Sequence, residues 1–414
     1  MTPHSATAPT GFPPLASDLD PALPGLAAAI DSAAVADLFR SRWPGSEPAP
    51  VIRTCTLEHA SWRPGVDCVA TYRLDFSDDE PSTLGGVAIS RNGVRHWLYN
   101  TDPALPGLSG AADPRAIGAW LATHLGGDAE DYTVAPVRYR AGTRCVLRFQ
   151  AQGVDSRRLY GKVVAGDGCT SLAAIVSALG DNLVAPYVGV APEWQLVVQR
   201  DAGDDILKAV PLDLSGTTST AFAAAGDLLA QLHAHPAPHG PRRTIADDLD
   251  ELHTLEPALR RVNPVAAAQY TDGIAQLQYR KPRSEVMVAS HGAYRADQVH
   301  RSARGPVMID LDSYCLAEPA RDAANFMAYL RWREIRGSAP AAHVDHVRDA
   351  FIEGYRDRST GTLTAEDLQL FEAAALLKIA GRRCRSLSRD EWPYLPALIA
   401  HALDMLAAAP GSAR

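Results

Sequence analysis

The chain has 414 residues, of which 46% are hydrophobic and 21% are charged. This length allows two or three domains with a large buried core, and the composition excludes disordered, collagen-like and disulfide-stapled chains. The net charge of −8, without a block of basic residues, argues against a nucleic-acid-binding protein. Only four of the 40 basic residues are lysines, so a lysine in a chemically meaningful position stands out.

The six cysteines are dispersed along the chain and form no Cys-x-x-Cys pair. This usage is typical of reduced thiols in a cytosolic protein. The first ten residues lack the basic and apolar regions of a secretory signal, and no run approaches 18 apolar residues. We therefore expect a cytoplasmic protein without a membrane segment, and the sequence leaves its oligomeric state open.

An internal repeat organises the N-terminal half. The heptapeptide Asp-Pro-Ala-Leu-Pro-Gly-Leu occurs at 20–26 and again at 102–108, and an Asp that is predicted to N-cap a helix stands five residues after each copy. Each predicted helix is followed by an aromatic-Arg-x-Gly turn, a Cys-Val strand and a further strand. The pattern predicts two similar units, each with one helix and about three antiparallel strands, from about 20 to 100 and from 102 to 180.

The two units differ in the strand that closes each of them. Lys162 lies in the middle of this strand in the second unit, where the sequence alignment places Gly86 in the first unit. A lysine on a strand is usually a solvated surface residue. The functional alternative is a positive charge that the sheet holds over a phosphate group.

From about residue 200 the pattern becomes helical. The turn-rich segment 200–205 marks the joint, and two strand-like segments at 285–290 and 306–312 interrupt the helices. The predicted helices are 217–235, 244–256, 264–278, 318–335, 341–356, 364–387 and 392–408.

Polar residues cluster at 290–312, between the two strand-like segments, which is how a scaffold presents reacting groups. Asp310 ends the second strand, and Asp312 falls on the same side if the strand continues. Paired carboxylates at a strand end suit a hard cation such as Mg²⁺. The alternative is an ordinary turn where the strand leaves the core.

Residues 291–312 resemble the catalytic loop and metal-binding strand of the aminoglycoside phosphotransferase and choline kinase-like family, a branch of the protein-kinase-like fold. The family pattern is His-Gly-Asp-Leu-(His/Lys)-Pro-x-Asn, a spacer, Ile-Asp-x-(Asp/Glu) and a Pro-x-x-Asp turn that opens a helix. The residues in register with it are His291-Gly292, Arg295, Asp297-Gln298-Val299, Ile309-Asp310-Leu311-Asp312 and Pro319-Ala320-Arg321-Asp322. The resemblance covers about 133–385.

The resemblance implies an α+β fold with two lobes, an antiparallel-sheet N-lobe and a helical C-lobe. We predict three domains on this basis. An N-lobe-like repeat occupies 1–101, the nucleotide-binding N-lobe occupies 102–200, and the helical C-lobe with catalytic loop 290–312 occupies 201–414. The first repeat lies outside the resemblance.

The resemblance also implies roles for individual residues. Lys162 would draw charge from the α- and β-phosphates of ATP or GTP, and Asp310 would be the main Mg²⁺ ligand. Gln298 would take a second metal position, Arg295 would lie near the γ-phosphate, and Asp322 would brace the loop. The further candidates for nucleotide binding are Val198 and Gln199 in the hinge strand and His291 in the loop.

Three positions depart from the family pattern. Ala293 stands in place of the catalytic Asp and cannot accept a proton, Gln298 replaces an Asn, and the helix expected near 170–180 contains no Glu partner for Lys162. Asp297 or Asp312 is a candidate substitute base. The alternatives are that Asp297 caps the loop and that Asp312 is a second metal ligand.

The sequence thus predicts an ATP- and Mg²⁺-dependent phosphotransferase for a small hydroxylated or amino-bearing molecule, with no nucleic-acid or membrane partner. A catalytically degenerate kinase-like protein that binds a nucleotide, metabolite or partner protein is the alternative. A third possibility is a different group transfer or dehydration in the same pocket.

Overall fold

The computed structural model describes residues 19–45, 50–77, 80–126, 132–151, 158–236, 240–302, 304–359 and 363–408. Antiparallel sheets form the N-terminal half, and helices form most of the C-terminal half. The predicted α+β fold class is therefore confirmed. Residues 1–18 of the predicted first domain lie outside the described residues. None of the helices in the described ranges has the length and apolar character needed to cross a membrane.

The first unit consists of two helices and a four-stranded antiparallel sheet in the order β1-β2-β3-β4. Asp31 N-caps the second helix as predicted, because its carboxylate accepts a hydrogen bond from the Ala34 amide. The fourth strand was not predicted, since its first residues are exposed and lack an alternating apolar pattern. The elements are α1 (Leu26–Ala29), α2 (Ser32–Ser41), β1 (Ile52–Arg63), β2 (Asp67–Phe76), β3 (Thr83–Ser90) and β4 (Gly93–Leu98).

The second unit repeats this element order as far as its third strand and then continues with a helix and two strands. Its five-stranded sheet has the order β5-β6-β7-β9-β8. Asp113 N-caps the second helix of this unit, again as predicted. The elements are α3 (Leu108–Ala111), α4 (Pro114–Leu125), β5 (Tyr132–Arg140), β6 (Arg144–Ala151), β7 (Arg158–Val164), α5 (Gly168–Leu179), β8 (Tyr187–Ala191) and β9 (Leu196–Arg200).

The heptapeptides make the same contact in both units. Asp20 and Asp102, their first residues, are buried, and each carboxylate accepts two hydrogen bonds from the following hairpin. Each repeated Asp thus ties the start of its unit to its first hairpin turn, which explains why the sequence retains it twice. The donors are Trp62 Nε1 (2.9 Å) and the Gly65 amide (2.8 Å) in the first unit, and Tyr139 OH (2.5 Å) and the Gly142 amide (2.7 Å) in the second.

The strand registers correct one sequence alignment. Lys162 lies opposite Val146, the valine of its Cys-Val strand, whereas the corresponding Val69 lies opposite Ala88. The counterpart of Lys162 is therefore Ala88 rather than Gly86. The alignment had matched two glycines, but backbone pairing across the hairpin, rather than a shared residue type, sets the register.

All seven predicted C-terminal helices are present. Helix α7 continues through Pro257 beyond its predicted end at 256. The predicted strands are shorter than expected, because this region forms two small antiparallel sheets of two strands each, β10 (Val288–Ser290) with β13 (Cys315–Ala317) and β11 (Val299–Ser302) with β12 (Gly305–Met308). The helices are α6 (Gly216–Ala234), α7 (Ile245–Val262), α8 (Pro264–Gln278), α9 (Pro319–Ile335), α10 (Ala341–Arg358), α11 (Ala365–Arg385) and α12 (Leu395–Ala408).

The first unit contacts both other parts of the molecule. Trp97 Nε1 donates a 2.7 Å hydrogen bond to Tyr139 OH in the second sheet. On its other side, Phe39 and neighbouring side chains join one hydrophobic cluster with Leu252 of α7 and Leu377 of α11. Burying apolar surface on both sides fixes the first unit between the second sheet and the C-terminal helices. Strand β1 consequently lies beside α11.

Helices α6 and α10 cross closely at glycines, so we expect Gly354→Ala to destabilise the protein. A Cβ at Gly354 would lie 2.0 Å from the Ala223 carbonyl oxygen. Relieving this overlap must shift a helix, which should lower the free energy of unfolding by about 1–3 kcal/mol in denaturant titrations. Gly216→Ala is the control, because a Cβ there meets no atom within 4 Å. Equal midpoints for the two variants would contradict the close crossing.

Candidate active site

The start of the loop is held rigidly by buried hydrogen bonds. The His291 amide donates to Asp322 Oδ2 at 2.6 Å, and His291 Nε2 lies 2.9 Å from the Ile309 carbonyl oxygen. Gly292 has φ +75°, and a Cβ there would lie 1.9 Å from the Ser313 carbonyl oxygen, so only glycine fits. Asp322 braces the loop, as the resemblance implied. The burial of His291 favours the same kind of role over direct nucleotide contact.

A tight turn positions the two carboxylates at the end of the loop. Strand β12 ends at Met308, Asp310 adopts a left-handed conformation with φ +66°, and Leu311–Ser313 form a 3₁₀ turn. We expected Asp310 and Asp312 to lie on the same side of a continuing strand. The strand does not continue, so this reason is wrong. The turn, which Asp tolerates better than most residues, instead brings both carboxylates to the same lysine.

Lys162, Asp310, Asp312 and Arg144 form one ion cluster. Lys162 Nζ lies 2.5 Å from Asp310 Oδ1 and also pairs with Asp312, while Arg144 pairs with Asp312 and lies 3.6 Å from Asp310. The four side chains are only 15–17% exposed. Burial opposes ionisation of Asp310, but Lys162 and Arg144 outweigh it and hold the pKa of that carboxyl well below its ordinary value. The sheet and the loop thus meet at a balanced set of charges.

The sequence reasoning did not single out Arg144. This residue opens β6, and its counterpart in the first unit is Asp67, which pairs with Arg63 across the same turn at 2.7 Å. In the second unit the turn residue opposite Arg144 is Arg140, so no such pair forms. The change from Asp67 in the first unit to Arg144 in the second is the sequence feature that could have identified this residue.

Arg295 and Asp297 pair with each other within the loop. Arg295 Nε donates to Asp297 Oδ1 at 2.9 Å, and its guanidinium lies 4.8 Å from the centre of the Tyr329 ring. Gln298 is only 3% exposed, and its side-chain oxygen has no hydrogen-bond partner among the described residues. The pairing of Asp297 agrees with its loop-capping alternative, and the free Gln298 oxygen is available to a ligand.

The remaining nucleotide candidates lie in β9. Val198 is fully buried between β7 and β8, and the Gln199 side-chain amide donates to the Ala185 carbonyl oxygen at 2.6 Å. Helix α5, which contacts β7, contains no acidic residue, in agreement with the missing Glu. The carboxylates of the loop take its place as the partners of Lys162.

The donors near this cluster match the chemistry of a hard cation. In the described ranges, no three His, Cys, Asp or Glu side chains converge as a preformed metal site. Asp310, Asp312 and the unpartnered Gln298 oxygen nevertheless supply three oxygen atoms of the kind that Mg²⁺ prefers. The residues therefore fit Mg²⁺, provided that Lys162 and Arg144 give up part of their contact with the carboxylates.

The comparison with protein families agrees with this site. The sequence model of the phosphotransferase enzyme family matches residues 193–365. These residues contain β9, helices α6 to α10 and the whole loop. This segment is similar to the phosphotransferase enzyme family. The predicted family is thereby confirmed. The match also supports the prediction that the enzyme is a phosphotransferase. Within the ion cluster, Asp310 and Asp312 lie in this phosphotransferase segment, whereas Lys162 and Arg144 precede it.

Solved structures of phosphotransferases resemble the chain in fold. A choline kinase from Cryptosporidium parvum Iowa II matches with a TM-score of 0.53 and 11% identity, over 71% of this chain and 95% of its own. Spectinomycin phosphotransferase in complex with ADP and spectinomycin matches with a TM-score of 0.47 and 12% identity, over 70% and 97%. No curated protein matches the chain in sequence. The first of these similarities confirms the protein-kinase-like fold.

Proposed function

We propose that the protein transfers a phosphoryl group from Mg²⁺-bound ATP or GTP to a small hydroxylated or amino-bearing molecule. The observation that carries the proposal is the contact between Lys162 of the sheet and Asp310 of the loop. Phosphoryl transfer needs a cation on the phosphates and a carboxylate on the metal, held close together. The phosphotransferase family match of residues 193–365 supports this reading. We also propose the domain limits 1–101, 102–200 and 201–414.

In the proposed complex, Lys162 binds the phosphates, and Asp310, Asp312 and Gln298 hold Mg²⁺. The bound metal neutralises charge that develops on the phosphate oxygens. With Mg²⁺ on Asp312, Arg144 would give up its pairing with that carboxylate, and its forked guanidinium would be free to bind the phosphates, for which arginine is well suited. The nucleotide base lies beside β9, at Val198 and Gln199.

The proposed transfer proceeds without a well-placed general base. Ala293 offers no carboxylate, and the Asp297 carboxylate is engaged in an ion pair with Arg295. Asp312 is equally paired. Since the transition state of phosphoryl transfer is loose, the missing base slows the reaction but does not abolish it. The specific observation behind the alternative, a degenerate nucleotide-binding protein, is Ala293 itself.

A restored carboxylate separates the two functions, and we expect Ala293→Asp to accelerate ATP consumption by about 10²–10⁴-fold. Calorimetry of the full chain with ATP and GTP, with and without Mg²⁺, establishes binding, and phosphate release establishes turnover. Ala293→Asn is the matched control, because it adds similar volume without a base. If the parent binds Mg²⁺-ATP but releases no phosphate while Ala293→Asp does, the natural protein is the degenerate form.

A further inference from the structure

Basic side chains from three parts of the molecule lie beside the candidate active site. The Ala141 amide, next to Arg140, donates a 3.1 Å hydrogen bond to Thr71 Oγ1, and Thr71 lies opposite His59 in the first sheet. Arg138 and Arg140 belong to β5, Arg385 ends α11, and His59 lies on β1 of the first unit. Burial, followed by the charges of Arg140, Arg138, Arg144 and Arg385, lowers the pKa of His59 to about 4. The His59 imidazole is therefore neutral near pH 7, whereas the arginines carry positive charge.

The arginines of this group lack counterions. Among the described residues, Arg138, Arg140 and Arg385 form no ion pair with a carboxylate. Other arginines of α11 are paired, as Arg382 is with Glu251 and Arg383 is with Glu391. Burial, then Arg144 and Arg138, lowers the pKa of Arg140 to about 10, which again shows like charges gathered together. Such a concentration of positive charge favours a bound anion.

The first unit shows what this turn looks like when it is only structural. There Arg63 and Asp67 face each other across the turn and form an ion pair, so the two charges neutralise each other within the hairpin. In the second unit the same two positions hold Arg140 and Arg144. Arg144 finds its counterions in Asp310 and Asp312, which leaves Arg140 without one. The reversal of charge therefore leaves Arg140 with a positive charge that no carboxylate of the described residues pairs with.

The group also borders the reacting region. Arg140 lies opposite Arg144 in the hairpin, and Arg144 pairs with Asp312 and lies 3.6 Å from Asp310. Strand β1, which carries His59, contacts α11, which ends at Arg385. An occupant of this place would thus touch the first unit, the second sheet and the C-terminal helices while lying next to the carboxylates of the loop.

We propose that His59, Arg138, Arg140 and Arg385 form an anion subsite, and that the acceptor of phosphoryl transfer carries a carboxylate, phosphate or sulfate group that binds there. The acceptor role rests on the proposed function, whereas the anion site stands on its own geometry. The proposal gives the first unit a task, because it supplies one wall of the subsite.

Calorimetry of the full chain with inorganic phosphate, with citrate and with the cation spermidine, at constant ionic strength, tests the subsite. We expect phosphate or citrate to bind and spermidine not to bind. The double variant Arg140→Met/Arg385→Met should weaken anion binding by about tenfold or more, because charge-assisted contacts to two guanidiniums are lost. Arg115→Met is the matched control, since Arg115 is exposed at the start of α4. Comparison of phosphate with citrate distinguishes a phosphorylated from a carboxylated ligand.

Two further measurements separate the anion subsite from the nucleotide site and from misfolding of the double variant. Lys162→Met should leave anion binding in place, whereas loss of binding in this variant would assign the anion to the nucleotide site and overturn the proposal. Melting curves show that the double variant is folded, and the anion should raise the melting temperature of the parent but not of the variant. Spermidine binding, or binding of none of the three probes, also overturns the subsite. Anion binding without any ATP consumption keeps the subsite and rejects the proposed function.

Discussion

Lys162→Met is expected to reduce ATP consumption by about 10²–10³-fold, the loss typical when one preorganised charge at a reacting group is removed. Lys162 is the only lysine that reaches the ion cluster among the described residues, and its Nζ contacts both Asp310 and Asp312. Without it, Arg144 alone remains to offset two largely buried carboxylates and to bind the phosphates. Phosphate release under saturating and limiting Mg²⁺-ATP measures the effect on kcat and on kcat/KM.

Lys208→Met is the matched control for this experiment. Lys208 is exposed in a 3₁₀ turn after β9 and contacts neither carboxylate. Its substitution should leave phosphate release at the parental rate. If Lys162→Met also retains the parental rate, Lys162 is a structural ion-pair partner, and the proposed phosphoryl transfer through this cluster is wrong.

Asp248→Ala is expected to cause the largest loss of stability, about 3–5 kcal/mol, because it leaves buried cations without a counterion. Asp248 of α7 is 1% exposed, and its carboxylate accepts from Lys378 Nζ at 2.9 Å, from Arg243 at 3.2 Å and from Arg321. Lys378 and Arg321 are themselves buried. Denaturant titration of the full chain followed by circular dichroism measures the change.

Asp250→Ala on the same helix is the control. Asp250 is exposed, so its loss should change the free energy of unfolding by less than about 0.5 kcal/mol. Replacing the buried pair together, as Asp248→Leu/Lys378→Met, should recover part of the stability, because no unpaired lysine then remains. A loss below about 1 kcal/mol in Asp248→Ala would show that water or other groups satisfy the cations.

The Asp248 carboxylate also makes the stability of the protein depend on pH. Burial opposes ionisation of Asp248, but Lys378, Arg321 and Arg243 outweigh it and hold its pKa below the ordinary value of 3.8. A folded-state pKa below the unfolded one stabilises the protein above that ordinary value, and this contribution is lost as the pH falls further. The stability gap between the parent and Asp248→Ala should therefore narrow below pH 3.8.

Local patterns in the sequence were sufficient for most of the scaffold. The seven C-terminal helices follow from apolar spacing, and the Asp31 and Asp113 caps follow from side chains that bond the next turn of their own helix. The loop was identified by the spacing of His291, Asp310 and Asp322, all within one short segment. Each of these features depends on neighbours in the chain, so a single sequence contains the information.

The tertiary structure alone decided how the charges combine. Lys162 meets Asp310 across 148 positions, and Arg144 meets Asp312 across 168. No local spacing encodes such a contact, because it depends on how the second sheet packs over the loop and on the strand register. The sequence by itself determined the C-terminal helices, the repeated heptapeptide and the position of the polar loop. Packing determined which cations balance its carboxylates and which, such as Arg140, remain free for a ligand.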